Sequence, residues 1–127
     1  MDAANAITDW CTVMPTDLIA ELVPNANDPQ SQQFPPQKCT VSNGVATVEI
    51  TYQGFVAAEM GPGAESIPGL GENAWLEPDY PVDDAWLTVV LDSDPAGTLY
   101  VEVVTGDGVD RGDDAIAIAQ AVIEELH

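Results

Sequence analysis

The sequence predicts an α+β domain, in which an antiparallel sheet of about five strands carries a short N-terminal helix and a C-terminal amphipathic helix. Hydrophobic and polar residues alternate at residues 45–52, which is typical of a strand with one buried face. Apolar residues recur at helical spacing through residues 113–126, which predicts a helix packed across the sheet. The 127 residues fit one domain, residues 1–127, around one core.

The first half of the chain contains one helix signal and one hairpin signal. Residues 16–23 lie between two prolines and carry apolar residues on one face, so we expect a short helix there. Residues 25–37 consist mainly of Asn, Gln, Ser and Pro, which predicts an irregular loop. Strand signals begin at Cys39, and Asn43-Gly44 predicts a tight turn into the strand at residues 45–52.

The second half predicts the remaining strands and the final helix. We expect one turn of helix at residues 55–60 and a loop at residues 64–71. Three further strands form an antiparallel meander, at residues 74–77, 86–91 and 98–105. The apolar face predicted for the final helix consists of Ile116, Ala119, Val122, Ile123 and Leu126.

The charge balance restricts the partners of the protein. The chain contains 22 acidic residues against two basic ones, which gives a formal net charge of -20. Nucleic acids and anionic membrane surfaces would repel it, so we expect neither as a direct partner. A hydrophobic content of 46% provides a core, and the charged surface favours a soluble monomer. Both a halophilic source and a GC-rich genome fit this composition.

The two cysteines, Cys11 and Cys39, flank the polar, proline-rich stretch. A disulfide between them would close a loop of about 29 residues and stabilise the fold by about 3 to 4 kcal/mol. We therefore predict this disulfide and an oxidising, extracytoplasmic compartment. The alternative is a pair of buried, unpaired thiols in a cytosolic protein. A metal or redox pair is disfavoured, because the cysteines are far apart and the only histidine, His127, is terminal.

The N-terminal residues contain no export signal. No run of 18 apolar residues occurs, and residues 1–9 lack both the basic and the apolar part of a signal peptide. If the protein is exported, we expect this sequence to be a mature form.

Several features occur in an order that resembles a known family. Cys11 precedes a short helix, Cys39 opens the first hairpin, and an Ala-rich amphipathic helix ends the chain. In this order, and in the Gly-x-Gly-acidic-x-Ala-aromatic turn of SIPGLGENAW (residues 66–75), the chain resembles small exported lipoprotein domains of actinobacteria, a family without an established biochemical role. The resemblance implies a sandwich similar to PsbP-like domains, an upstream signal peptide ending in a lipidated cysteine, and attachment to the outer face of the cell membrane.

The sequence contains no residue set typical of catalysis. Nucleophilic catalysis of the Ser-His-Asp or Cys-His type needs a histidine beside the nucleophile, and His127 is terminal. Gly69-Leu70-Gly71 is too short for a phosphate-binding loop and predicts turns that need glycine. We therefore expect a protein that is not an enzyme and has no cofactor.

Two groups of residues are candidates for binding. Asp107, Asp110 and Asp113 lie in a glycine-bearing stretch that could supply oxygen ligands to calcium. The alternative is that Asp113 caps the last helix while Asp114 favours its positive end. Among the aromatic residues, Tyr80 and Trp75 are candidates for a ligand groove, although most aromatic residues of a small domain lie in the core.

These observations lead to one hypothesis and two alternatives. We expect an extracytoplasmic, non-catalytic domain of the cell envelope that binds a partner protein or a small ligand and touches the membrane only through an upstream lipid anchor. The first alternative is an acidic mimic that inhibits a basic protein partner. The second is a calcium-dependent binding module.

Overall fold

A computed structural model describes residues 7–34, 36–54, 64–77, 84–93, 96–105 and 111–126. Seven strands form one antiparallel sheet in the order β1-β2-β3-β7-β6-β5-β4. The strands are β1 Gln30–Gln32, β2 Gln37–Ser42, β3 Thr47–Gln53, β4 Glu65–Ser66, β5 Asn73–Leu76, β6 Asp84–Ser93 and β7 Ala96–Val104. The helices are a 3₁₀-helix at Trp10–Val13, α1 at Thr16–Leu22 and α2 at Gly112–Glu125.

The core lies between one face of the sheet and the helices. Side chains of the central strands alternate, so every second residue points to this face and is fully buried. These residues are Val48, Ile50, Leu87, Val89, Leu99, Val101 and Val103. α2 packs on β6 and β7, α1 contacts β3, and the 3₁₀-helix contacts β1 and β2. The predicted α+β class and the packing of the last helix on the sheet are confirmed.

The sheet has seven strands where the sequence predicts about five. β1 lies inside the predicted loop at residues 25–37, and β4 lies inside the predicted loop at residues 64–71. Both are short, polar strands at the edges of the sheet, and they join it through backbone pairing with β2 and β5. Such strands bury no hydrophobic face, so no alternation marks them in the sequence. The helical turn predicted at residues 55–60 falls outside the described residues.

The turn between β2 and β3 is the predicted Asn43-Gly44 turn. Gly44 has a φ of 89°, which a residue with a side chain rarely adopts. The side-chain oxygen of Asn43 accepts hydrogen bonds from the N–H groups of Val45 and Ala46, both at 2.8 Å. The turn therefore fixes the register in which Ser42 of β2 pairs with Thr47 of β3.

Helix α2 begins one residue earlier than predicted. Arg111 occupies the N-cap position, and no side chain caps the helix, so the expected capping role of Asp113 is wrong. Asp113 and Asp114 lie instead in the first turn, where the positive end of the helix dipole stabilises negative charge. Asp114 also accepts a hydrogen bond from Nη1 of Arg111 at 3.2 Å.

The buried face of α2 is rotated relative to the predicted face. Its centre consists of Ala115, Ile118, Ala119 and Val122. Ile116 and Ile123 flank this stripe and are only partly buried. Ala119, Val122 and Leu126 are buried as predicted, whereas the buried face also includes Ala115 and Ile118, which the prediction left out. Within the described ranges, no helix is long and apolar enough to cross a membrane.

Candidate functional site

The predicted disulfide is confirmed and joins two elements that are distant in sequence. Cys11 lies on the 3₁₀-helix and Cys39 on β2, and their Cα atoms are 5.1 Å apart. Cys39 is fully buried, whereas Cys11 is partly exposed. A disulfide is typical of proteins outside the reducing cytosol. The bond holds the N-terminal segment against the edge region of the sheet.

The 3₁₀-helix is also fixed by local hydrogen bonds and by aromatic packing. The carboxylate of Asp9 accepts a hydrogen bond from the N–H of Cys11 at 3.0 Å, and the hydroxyl of Thr12 donates to the Asp9 carbonyl at 2.8 Å. Trp10 is fully buried and stacks on Tyr52, with ring centroids 4.9 Å apart. The indole N–H of Trp10 has no hydrogen-bond partner among the described residues, so the contacts of its ring hold it in place.

The loop between α1 and β1 is attached to the β2–β3 turn by two hydrogen bonds. The N–H of Asn27 donates to the carbonyl of Ser42, and Nδ2 of Asn43 donates to the carbonyl of Pro24, both at 2.9 Å. Asn25 has a φ of 56°, a left-handed conformation that asparagine tolerates better than most residues. The loop therefore has a defined path beside the sheet although it contains no regular structure.

A cavity of about 310 Å³ lies between α1, this loop and β2, and we call it the disulfide pocket. Its lining includes Cys39 and Val41 of β2, Ile19 of α1 and Val23 just after α1. All four side chains are buried. The exposed residues Asn25, Asn27 and Asp28 contribute to the rim. The pocket thus has an apolar interior and a polar opening.

The lining of the disulfide pocket is mostly apolar, which suits it to binding. Asp28 is the only lining residue that titrates, because both cysteines are oxidised. Thr16 provides the one hydroxyl group in the lining. An apolar molecule could occupy the interior, while the amides and carboxylate of the rim hydrogen-bond to its polar end.

A second cavity of about 340 Å³ lies between the 3₁₀-helix–α1 junction and the C-terminal end of α2. Its lining includes Glu124 and Glu125, and both side chains are exposed to solvent. Exposed charges remain hydrated, so they interact only weakly with a ligand. The disulfide pocket is therefore the better candidate site, despite its slightly smaller volume.

Of the three residues predicted as calcium ligands, only Asp113 lies in the described part of the chain. Asp113 is exposed in the first turn of α2, while Asp107 and Asp110 fall outside the described residues. In the described ranges, no three His, Cys, Asp or Glu side chains converge in a way that could hold a metal ion. Calcium binding stays a prediction.

Of the two aromatic residues predicted to contact a ligand, only Trp75 is described, and it does not line the disulfide pocket. Trp75 on β5 is buried, and its indole N–H donates to Oε1 of Glu77 at 2.9 Å. Ala74 belongs to the core cluster between the sheet and the helices, so the adjacent Trp75 side chain points to the other face of the sheet. Tyr80 falls outside the described residues, and ligand contact by either residue stays a prediction.

Sequence analysis missed the residues that form the pocket. Ile19 and Val23 were predicted to lie on the apolar face of the first helix, and Val41 reads as an ordinary strand residue. Their convergence depends on how the loop after α1 folds back toward the β2–β3 turn. The asparagines at residues 25 and 27 are the one local signal, since asparagine favours turns and left-handed conformations.

Comparison of the chain with protein family models, with curated proteins and with solved structures finds no match.

Proposed function

We propose that the protein is a non-catalytic, extracytoplasmic domain that binds a small amphiphilic molecule in the disulfide pocket. The main support for this proposal is the pocket itself, which has an apolar interior next to the disulfide and polar residues around its opening. Its volume of about 310 Å³ lies at the lower end of the range of small-molecule sites, which is roughly 300 to 1,000 Å³.

The charges near the pocket favour a ligand whose polar end is neutral or positive. Asp28 is the one charged side chain in the lining, and the whole chain carries a net charge of -20. An anionic headgroup at the rim would be repelled by Asp28 and by the field of the protein. We therefore infer an apolar chain or ring with a hydrogen-bonding or cationic end.

The proposed setting is the outer face of the cell membrane, with the domain attached through a lipid anchor upstream of this sequence. The disulfide supports a compartment outside the cytosol. The resemblance to exported lipoprotein domains supports the anchor. Membrane fractionation of the protein from its native cells, before and after cleavage with a lipoprotein-releasing lipase, tests this setting separately from ligand binding.

Titration with three eight-carbon probes tests the pocket. We expect 1-octanol to shift the NMR amide signals of Ile19, Val23 and Val41, which line the interior. Octylamine should bind about two- to fivefold more tightly than octanoate, a difference of no more than about 1 kcal/mol, because the exposed carboxylate of Asp28 attracts the ammonium group and repels the carboxylate only weakly through water. Each titration monitors all assigned amides, so that binding elsewhere is detected.

Two matched variants complete this experiment. Ala20→Phe places a ring at the pocket lining and should abolish the octanol shifts. Gln120→Phe places the same ring on the exposed surface of α2, away from the pocket, and should leave them unchanged. Octanol binding that is equally strong in both variants, or shifts scattered over the sheet, would overturn the proposal.

The two alternative functions receive less support from the described structure. An acidic mimic requires carboxylates ordered on one face, but the exposed carboxylates among the described residues lie on α1, the loop after it, β4, the turn before β5 and both ends of α2. A calcium module requires converging oxygen ligands, and none are found in the described ranges.

A further inference from the structure

The turn between β2 and β3 contains two neighbouring residues that can react with each other. The backbone nitrogen of Gly44 can attack the side-chain amide carbon of Asn43 and close a succinimide ring, since glycine has no side chain to obstruct the approach. Asn43 is the one asparagine of the chain that is followed by glycine. Gly44 is exposed, and no atom lies within 4 Å of the position that a Cβ would take, so the turn has room for the reaction.

The hydrogen bonds of the turn polarise the amide of Asn43. Its Oδ1 accepts from the N–H groups of Val45 and Ala46, both at 2.8 Å. Two N–H groups at such a distance stabilise the negative charge that develops on a carbonyl oxygen when its carbon is attacked. The hydrogen bond from the N–H of Gly44 is longer, 3.2 Å to Oγ of Ser42, so it is more easily broken when this nitrogen moves to attack.

The amide nitrogen of Asn43 attaches the turn to the wall of the disulfide pocket. Nδ2 donates to the carbonyl of Pro24 at 2.9 Å, which is one of the two hydrogen bonds between the turn and the loop after α1. That loop supplies the rim residues Asn25, Asn27 and Asp28 of the pocket. Loss of the amide nitrogen would therefore remove a contact that defines the path of the loop.

We propose that Asn43 is a deamidation site, and that its conversion detaches the loop after α1 and weakens ligand binding in the disulfide pocket. In the first step the nitrogen of Gly44 loses its proton and bonds to Cγ of Asn43, while Nδ2 leaves as ammonia. Water then opens the succinimide. Opening at Cγ gives aspartate, whereas opening at the backbone carbonyl carbon gives isoaspartate, in which the main chain runs through the former side chain. The effect on the ligand rests on the proposed function, but the reaction and the release of the loop do not.

Both products lose the hydrogen bond to Pro24. In aspartate, one oxygen still accepts from the N–H groups of the turn, while the other replaces Nδ2 and carries negative charge toward the carbonyl oxygen of Pro24. The loop then keeps the second hydrogen bond, from the N–H of Asn27 to the carbonyl of Ser42. Isoaspartate in addition lengthens the backbone of the turn that places Ser42 opposite Thr47, so it should also loosen the start of β3.

Ageing of the wild-type protein locates the reaction. The folded protein is incubated at mildly alkaline pH, then reduced and cleaved after glutamate, which releases peptide 22–49. This peptide contains Asn25, Asn27 and Asn43, so tandem mass spectrometry compares these asparagines within one molecule. We expect Asn43 to convert at least about tenfold faster than the other two, and Gly44→Ala to remove most of this difference, because a Cβ hinders attack by the nitrogen.

Asn43→Asp reproduces the aspartate product and tests the release of the loop without any ligand. Hydrogen exchange followed by NMR measures the N–H of Asn27, which we expect to exchange at least about threefold faster in this variant than in wild-type protein. Asn73→Asp adds the same charge at an exposed position of β5 and should leave that exchange unchanged. In the octanol titration, Kd should rise at least about threefold in Asn43→Asp only, because the pocket wall is less well ordered.

The experiments give separate answers on the reaction, the loop and the pocket. Preferential conversion of Asn43, together with faster exchange at Asn27 in Asn43→Asp and in aged wild-type protein, supports the proposal. Equal conversion of the three asparagines overturns the site, and unchanged exchange at Asn27 overturns the release of the loop. Octanol that binds Asn43→Asp as tightly as wild-type protein overturns the effect on the pocket. Octanol that fails to bind wild-type protein overturns the proposed function instead, while the mass and exchange results still decide the reaction and the release.

Discussion

At the residue scale, Gly71 has no side chain, and this allows the chain just before β5 to lie close to β6. Its φ is 54°, and a methyl group on it would lie 2.5 Å from the carbonyl oxygen of Val90. That carbonyl accepts a hydrogen bond from the N–H of Glu72 at 2.8 Å, just before β5 begins. We predict that Gly71→Ala destabilises the fold by about 3 kcal/mol, since it combines left-handed strain with a steric clash against the backbone.

Gly69 provides the matched control for this prediction. Its φ is 83°, but a methyl group there would meet no atom within 4 Å. Gly69→Ala should therefore cost only the conformational strain, about 1 kcal/mol. Urea unfolding followed by circular dichroism measures both variants. If Gly71→Ala and Gly69→Ala have equal free energies of unfolding, Val90 moves aside and the clash does not destabilise the fold.

Residues with strict geometric or chemical requirements were the ones that could be predicted from the sequence. Two cysteines flanking a polar loop predict a disulfide, and Asn43-Gly44 predicts a tight turn, because few alternatives suit these residue types. The roles of Asp113 and Trp75 were harder to predict. Asp113 is compatible with several positions near a helix start, and the surroundings of Trp75 depend on strands that are distant in sequence.

At the element scale, the disulfide fixes the 3₁₀-helix to β2 and bounds the pocket. We predict that the double variant Cys11→Ala/Cys39→Ala loses about 3 kcal/mol of unfolding free energy, because a loop with a sequence separation of 28 is no longer closed in the unfolded chain. Guanidinium unfolding monitored by circular dichroism measures the loss.

The double variant loses both the cross-link and the volume of the two sulfur atoms. Reduction of the wild-type disulfide separates these two effects. Wild-type protein in excess dithiothreitol keeps both sulfur atoms, so it lacks the cross-link but has nearly the native core volume. We expect it to lose almost as much stability as the double variant. If reduced wild-type protein is as stable as oxidised protein, the bond is not the source of the stabilisation.

Hydrophobic alternation in the sequence predicts the central strands of the sheet but not its edge strands. β3 and β7 bury alternate residues on the core face, and both were predicted within about two residues of their ends. β6 extends beyond its prediction because its pairing with β7 continues from Asp84 to Ser93. β1 and β4 were missed, since a polar edge strand is specified by its neighbour's backbone and leaves no pattern of its own.

At the scale of the whole molecule, the hydrophobic periodicity of the sequence determines the class of fold, whereas the pocket depends on how separate elements pack together. Periodicity of two in the strands and of 3.6 in the last helix suffices to predict an antiparallel sheet with a helix on it. The pocket requires α1, the loop after it and β2 to meet at a particular spacing. No local residue pattern determines that spacing, so the site could not be predicted from the sequence.

The net charge of -20 makes the stability of the whole molecule depend on ionic strength. The range of the repulsion among the carboxylates falls from about 30 Å at 0.01 M salt to about 8 Å at 0.15 M. Repulsion in the compact state weakens accordingly, and we predict that Tm rises by about 5 °C over this range of NaCl. Differential scanning calorimetry measures the shift, with sucrose as an uncharged co-solvent control.

Comparing two divalent cations separates screening from specific binding in the same assay. CaCl₂ and MgCl₂ at equal concentration screen equally, so we expect equal Tm values in the two salts. A Tm that is clearly higher in calcium would instead support a specific site, for which Asp107, Asp110 and Asp113 are the candidates. A Tm that does not change with NaCl would contradict the prediction, and would mean that the carboxylates lie too far apart for their repulsion to affect folding.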